Sequence, residues 1–138
     1  MGIRLVRRLL PALVLCGALF AAHAQAQVVV SQVYGGGGNS GAPYTNDFVE
    51  LFNRGSQPAS LSGLSLQYAS ATGTGNFGAG SSQLLVLPAA TLEPGQYFLV
   101  GLAGGANGVP LPPTDASGTI NMSGSAGKVA LVESTTSL

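Results

Sequence analysis

The sequence predicts an all-β domain built as an antiparallel sandwich, on three observations. Runs of alternating apolar and polar residues recur after residue 26, and NDFVELFN at 46–53 is the clearest of them. Clusters of Gly, Pro, Ser and Asn separate these runs; the chain holds 21 glycines and 8 prolines. No segment of this part has helical periodicity of useful length. Period-two alternation between turn signals marks half-buried strands, and many such strands joined by turns make a sandwich.

Taken in order, the first 26 residues precede the fold. Arg4, Arg7 and Arg8 form a basic start, and Leu9 to Ala22 is apolar. The small-x-small sites Ala22-His23-Ala24 and Ala24-Gln25-Ala26 follow. That layout predicts a secretory signal peptide over 1–26, cleaved after Ala24 or Ala26, and a secreted, extracellular or periplasmic product. Leu15 is bulky where lipid attachment to Cys16 would need a small residue, so simple secretion is the better reading. No transmembrane segment remains after cleavage.

Val28–Tyr34 is β-branched and runs into Gly35–Gly38, a strand entering a loop. Asp47–Asn53 is the second strand, with Val49 and Leu51 facing the core and Phe48, Glu50 and Phe52 facing out, where a further layer or loop would cover the rings. Pro58–Gly63 reads as a turn, and Leu64–Tyr68 alternates again with Leu64, Leu66 and Tyr68 on one side. After a loose stretch from Ser70 to Ser82, Leu84–Leu87 is a short strand stopped by Pro88. Glu93-Pro94-Gly95 is a tight turn delivering the strand Gln96–Val100. Gly101–Ser117 reads as an extended surface loop, Ile120 and Met122 as a short edge strand, and Lys128–Glu133 as the last strand. That makes about six strands where an immunoglobulin-like sandwich has about seven. The domain at 27–138 is therefore expected to lack its last strand or strands, cut short at Leu138.

Charge and residue types exclude several functions. Cleavage removes Arg4, Arg7, Arg8, Cys16 and His23. Arg54 and Lys128 then face Asp47, Glu50, Glu93, Asp115 and Glu133, a net charge of −3. No basic stripe exists to neutralise phosphates, so direct nucleic-acid binding is not expected. Without Cys or His, thiol and Ser-His-Asp catalysis, soft-metal sites and disulfides are excluded.

Several pieces in order resemble the lamin tail domain family, in its bacterial secreted type: VVVSQVYGGGGNSGAPYTNDFVELFNRG, LSGLSLQYASATGTG, TLEPGQYFLVG and LPPTDASGTINMSGSAGKVALV. The most specific part is NDFVELFN followed by LSG. Leu64 stands where the family usually has Trp, and the family continues beyond the KVALV strand. The resemblance implies an immunoglobulin-like fold and a binding or positioning module without catalytic residues. It also implies that secreted bacterial members accompany larger extracellular enzymes, often nucleases or phosphoesterases of the endonuclease/exonuclease/phosphatase type.

Other constellations weigh less. Gly36–Gly41 and Gly73–Gly78 match G-x-G-x-x-G, yet neither opens a helix that would hold pyrophosphate. Asn46, Asp47 and Glu50 form the densest polar cluster, and their oxygens suit Ca²⁺. Asp47 and Glu50 fall on opposite faces of a strand, so capping a loop end or pairing with Arg54 competes with that metal site. Paired-carboxylate glycosidase chemistry has no support in five scattered acids. A subset of Tyr34, Tyr44, Phe48, Tyr68, Phe77, Tyr97 and Phe98 would serve as a platform for sugar rings or bases if exposed, against core packing as the default. Asn121-Met122-Ser123 is formally a glycosylation sequon.

The expectation is a secreted, non-catalytic binding or positioning module, the N-terminal part of a larger extracellular protein. Its partner would be a protein, a surface or a polymer, with an enzyme domain attached in cis. The alternatives are the N-terminal fragment of an extracellular nuclease or phosphoesterase whose catalytic domain lies beyond Leu138, and a self-associating surface or matrix protein.

Overall fold

The computed structural model describes residues 27–75 and 77–138. The signal peptide expected over 1–26, with Cys16 and His23, lies outside them, as does Asn76 of the second glycine match. The β-branched run at the start becomes β1 (Val28–Tyr34), and the alternating NDFVELFN becomes β2 (Asn46–Asn53). Next come β3 (Ala59–Ser60), β4 (Ser65–Ser70), a 3₁₀ turn at Ser81–Gln83, β5 (Leu84–Val86) and β6 (Thr91–Leu92). The chain continues through β7 (Tyr97–Gly104), β8 (Ala116–Ser117) and β9 (Gly127–Val132).

These strands make an immunoglobulin-like β-sandwich. One sheet has the order β1-β2-β7-β8, the other β5-β4-β9, and β3-β6 is a separate two-stranded ladder. Every pairing is antiparallel except that of β7 with β8. Val49 and Leu51 of β2, Phe98, Val100 and Leu102 of β7, and Leu66 and Tyr68 of β4 meet between the sheets. Burial of such side chains, at about 25 cal/mol per Å² of apolar surface, is the main force holding the layers together. Among the described residues, no helix is long and apolar enough to cross a membrane.

Three expectations need correction. The described residues contain nine strands rather than about six, and the additional β3, β6 and β8 are two residues each. The region read as a loop from Gly101 is strand as far as Gly104, since Leu102 continues the inward alternation of Phe98 and Val100. Ile120 and Met122 are not in a strand, although both side chains are buried. Their backbone partners are mixed: Ala103 N–H donates to Ile120 O, Gly36 N–H to Met122 O, and Met122 N–H to the Asp47 carboxylate. Partners drawn from three separate segments leave no regular ladder to propagate.

The segment after β9 folds across the outside of β4. The Ser65 hydroxyl donates to Ser134 O at 2.6 Å, and the Gln67 amide donates to Thr136 O at 2.8 Å while accepting from Leu138 N–H at 3.2 Å. Ser65 and Gln67 are consequently fully buried although they face away from the core.

Candidate functional site

The polar cluster singled out in the sequence divides between the two faces of β2. Asp47 shares the inner face with Val49, Leu51 and Asn53, and all four are buried. One Asp47 oxygen accepts from Gly37 N–H and the other from Met122 N–H, both at 2.6 Å. The carboxylate thus ties the glycine loop to the 120–123 segment at one end of the core. Asn53 does the same at the other end: its amide donates to Leu92 O and Gln57 O and accepts from Gly55 N–H. Charge-assisted bonds to buried N–H groups are among the stronger hydrogen bonds in proteins.

Asn46 donates to Leu102 O at 2.9 Å and accepts from the Thr45 hydroxyl at 2.8 Å. Glu50 lies on the outer face, where the Ser31 hydroxyl donates to its carboxylate at 2.7 Å and to its carbonyl at 3.1 Å. Ser31 is the extra residue of a β-bulge in β1, between Val30 and Gln32. A bulge re-aims the side chain it carries, and here that side chain orients Glu50. The structure therefore brings Asp47 and Glu50 to separate places with separate partners. Among the described residues, no group of three or more His, Cys, Asp or Glu is placed to hold a metal ion.

Glycines let the loops at the Asp47 end approach backbone to backbone. A Cβ on Gly38 would overlap the backbone of Gly105, and Asn107 N–H donates to Gly38 O across that contact. The 105–115 connection is thereby pinned: Thr45 N–H donates to Val109 O, and Val109 N–H to Pro43 O. It then passes over Gly101, where a Cβ would sit only 2.9 Å from the Thr114 methyl.

What this connection partly covers is an aromatic face. The β1-β2-β7 register sets three rows on the outside of the sheet: Tyr34, Phe48 and Gly101, then Gln32, Glu50 and Leu99, then Val29, Phe52 and Tyr97. Tyr34 stacks on Phe48 at 5.3 Å, and Tyr44 stands edge-on to both. Phe52 and Tyr97 pair at 4.6 Å, and Tyr97 is 56 % exposed. Between the two ring groups lies a groove of about 160 Å³ lined by Gln32, Tyr44, Phe48, Glu50, Leu99, Leu111 and Pro112.

Of the aromatics weighed in the sequence, Tyr34, Tyr44, Phe48 and Tyr97 belong to this face, whereas Tyr68 and Phe98 are core. Phe52 completes it and was absent from that group of candidates; its signal is the outward parity it shares with Phe48 and Glu50. The contributions of Leu111 and Pro112 had no local signal, since the 105–115 connection reaches the face only through its distant anchors.

The family model described as Lamin Tail Domain matches residues 21–138. No curated protein and no solved structure matches the chain.

Proposed function

Because the chain belongs to the lamin tail domain family, whose immunoglobulin-like fold serves binding and structural roles, we propose that it is a secreted, non-catalytic module that docks a partner on its outer aromatic face. The carrying observation is that face: Tyr97 and Phe52 on one side of Glu50, Tyr44 and Phe48 on the other, on the β1-β2-β7 sheet. Tyr97 is exposed, Tyr44 and Phe52 are half-buried and Phe48 is buried, and aromatics that converge on one polar group at a surface are characteristic of recognition sites. The carboxylates support a non-catalytic role. Asp47 is occupied by two backbone N–H groups, and Asp115 accepts from Leu99 N–H at 2.8 Å. Arg4, Arg7, Arg8 and the apolar Leu9–Ala22 support secretion, with the mature chain starting at Gln25 or Gln27. In this reading the module holds a partner, surface or polymer for an enzyme domain carried in cis.

The test compares the complete gene product with a version lacking residues 27–138. Loss of partner retention with hydrolytic turnover on soluble substrate preserved is the expected result. Turnover that resides in residues 27–138 themselves would overturn the proposal. N-terminal sequencing of the mature product checks the cleavage site independently.

A further inference from the structure

We infer that the groove around Glu50 is a receptor for a cationic side chain, a lysine or arginine presented by a basic polypeptide partner. The inference rests on the reading of the aromatic face as a docking surface and names the chemistry that face selects. Size comes first. Ligand pockets that enclose a whole small molecule run to roughly 300–1,000 Å³. The groove's volume of about 160 Å³ suits the end of one side chain delivered by something larger.

Charge decides which side chain. Glu50 is the one ionisable acid or base lining the groove, and it sits between two aromatic groups. Tyr44 and Phe48 meet at 82°, so a group entering the corner between them faces one ring and the edge of the other, with the carboxylate beside it. Ring faces and a carboxylate both attract a cation, and the attraction grows as water is displaced. Leu99, Leu111 and Pro112 supply apolar wall for a methylene stem, the way long basic side chains are usually packed. Ser31 holds Glu50 by one hydroxyl, so the carboxylate is positioned before a ligand arrives.

The rest of the described chain points the same way. It carries Arg54 and Lys128 against five acids. Lys128 belongs to the other sheet, where its ammonium donates to Gly73 O at 2.9 Å. Glu50 is the charged group lining the groove, and with acids in excess over the described chain a basic segment is drawn toward it.

The experiment titrates the purified protein with hexalysine, with the same peptide acetylated on every Nζ, and with cellohexaose, following the aromatic ring resonances by NMR. Hexalysine is expected to shift Tyr44 and Tyr97 and to bind about tenfold more weakly after acetylation or to Glu50→Gln. Glu133→Gln, an acid just beyond the end of β9 in the other sheet, serves as the remote-charge control and is expected to change affinity less than twofold. Equal loss in Glu50→Gln and Glu133→Gln would mean unspecific charge attraction and overturn the site. So would binding of acetylated peptide as tight as that of hexalysine, or shifts with cellohexaose alone, which would make the face a saccharide platform. A Phe52→Ser/Tyr97→Ser variant separates the two levels. If it keeps its fold and all partner binding, the docking face itself is wrong; if it loses binding that Glu50→Gln retains, only the cation assignment fails.

Discussion

The strands β2 and β4, each flanked by neighbours on both sides in its own sheet, use alternation in opposite ways. Both put apolar residues inward: Val49 and Leu51 from β2, Leu66 and Tyr68 from β4. Outward, β2 presents Phe48, Glu50 and Phe52, whereas β4 presents Ser65 and Gln67. The aromatic outer face keeps Tyr97 and a groove open to solvent, and the polar outer face is fully buried under residues 134–138. Solvent exposure here is decided by what crosses each face, not by the polarity of the residues on it. A carboxamide under a tail meets main-chain partners and serves the fold. Rings left partly uncovered are available to a partner.

The largest effect that sharpens this contrast is expected on the inner face of β2. Asp47→Ala strands two N–H donors, Met122 buried and Gly37 part-buried, and is expected to cost roughly 2–4 kcal/mol in urea unfolding. A loss under about 1 kcal/mol would show that water replaces the carboxylate at no great cost. On the outer face of β4, Gln67→Leu removes the clamp on residues 134–138. A loss of about 1–2 kcal/mol is expected, with faster amide exchange at Leu138, because the freed tail groups can turn to water. Unchanged exchange there would make the tail's docking independent of Gln67.

Leu64→Trp is expected to raise stability by about 1 kcal/mol, a gain of several degrees in thermal unfolding. Leu64 lines a cleft of about 290 Å³ with Val28, Ala59 and Leu131, which an indole would partly fill. Destabilisation would mean that the cleft is the wrong shape for a ring. Tyr97→Ser, on the open aromatic face, is expected to cost less than about 1 kcal/mol, since the side chain is largely solvated already. A larger loss would move Tyr97 from the proposed docking surface into the fold's own support. The smallest effect expected is that of millimolar calcium, with no change in the unfolding midpoint, because Asp47 already accepts two N–H bonds and Glu50 lies on the opposite face. A clear rise would restore Asn46, Asp47 and Glu50 as a cation site.

Much of this architecture was legible before the structure. Alternation located β2, β4 and β9, β-branched content β1, and apolar runs bounded by turn residues β5 and β7, because each of these signals acts over a few neighbouring positions. Alternation also placed Val49 and Leu51 inside and Phe48 and Phe52 outside, with a further layer or a loop expected over the rings; of the two, a loop carries Leu111 and Pro112 to the groove beside Phe48. The two-residue strands β3, β6 and β8 carry no period and were invisible. The dual use of β2 was half visible, since Asp47 and Glu50 were placed on opposite faces, but their partners Met122 and Ser31 lie far off in sequence.

The sequence by itself determined the fold class, the strands with a readable period, the inward and outward sets of β2, and the absence of Cys and His beyond residue 26. These follow from local chemistry: alternation, turn residues and composition act over a few positions. Only tertiary structure decided that Gln67 would be buried and Tyr97 exposed, that Asp47 would join two distant loops, and that Glu50 would stand in a groove between aromatic groups. Each depends on a segment arriving from 10 to 75 residues away in the chain to cover, bond or leave open a given face. Sequence spacing sets which side of a strand a residue takes; packing sets what it meets there.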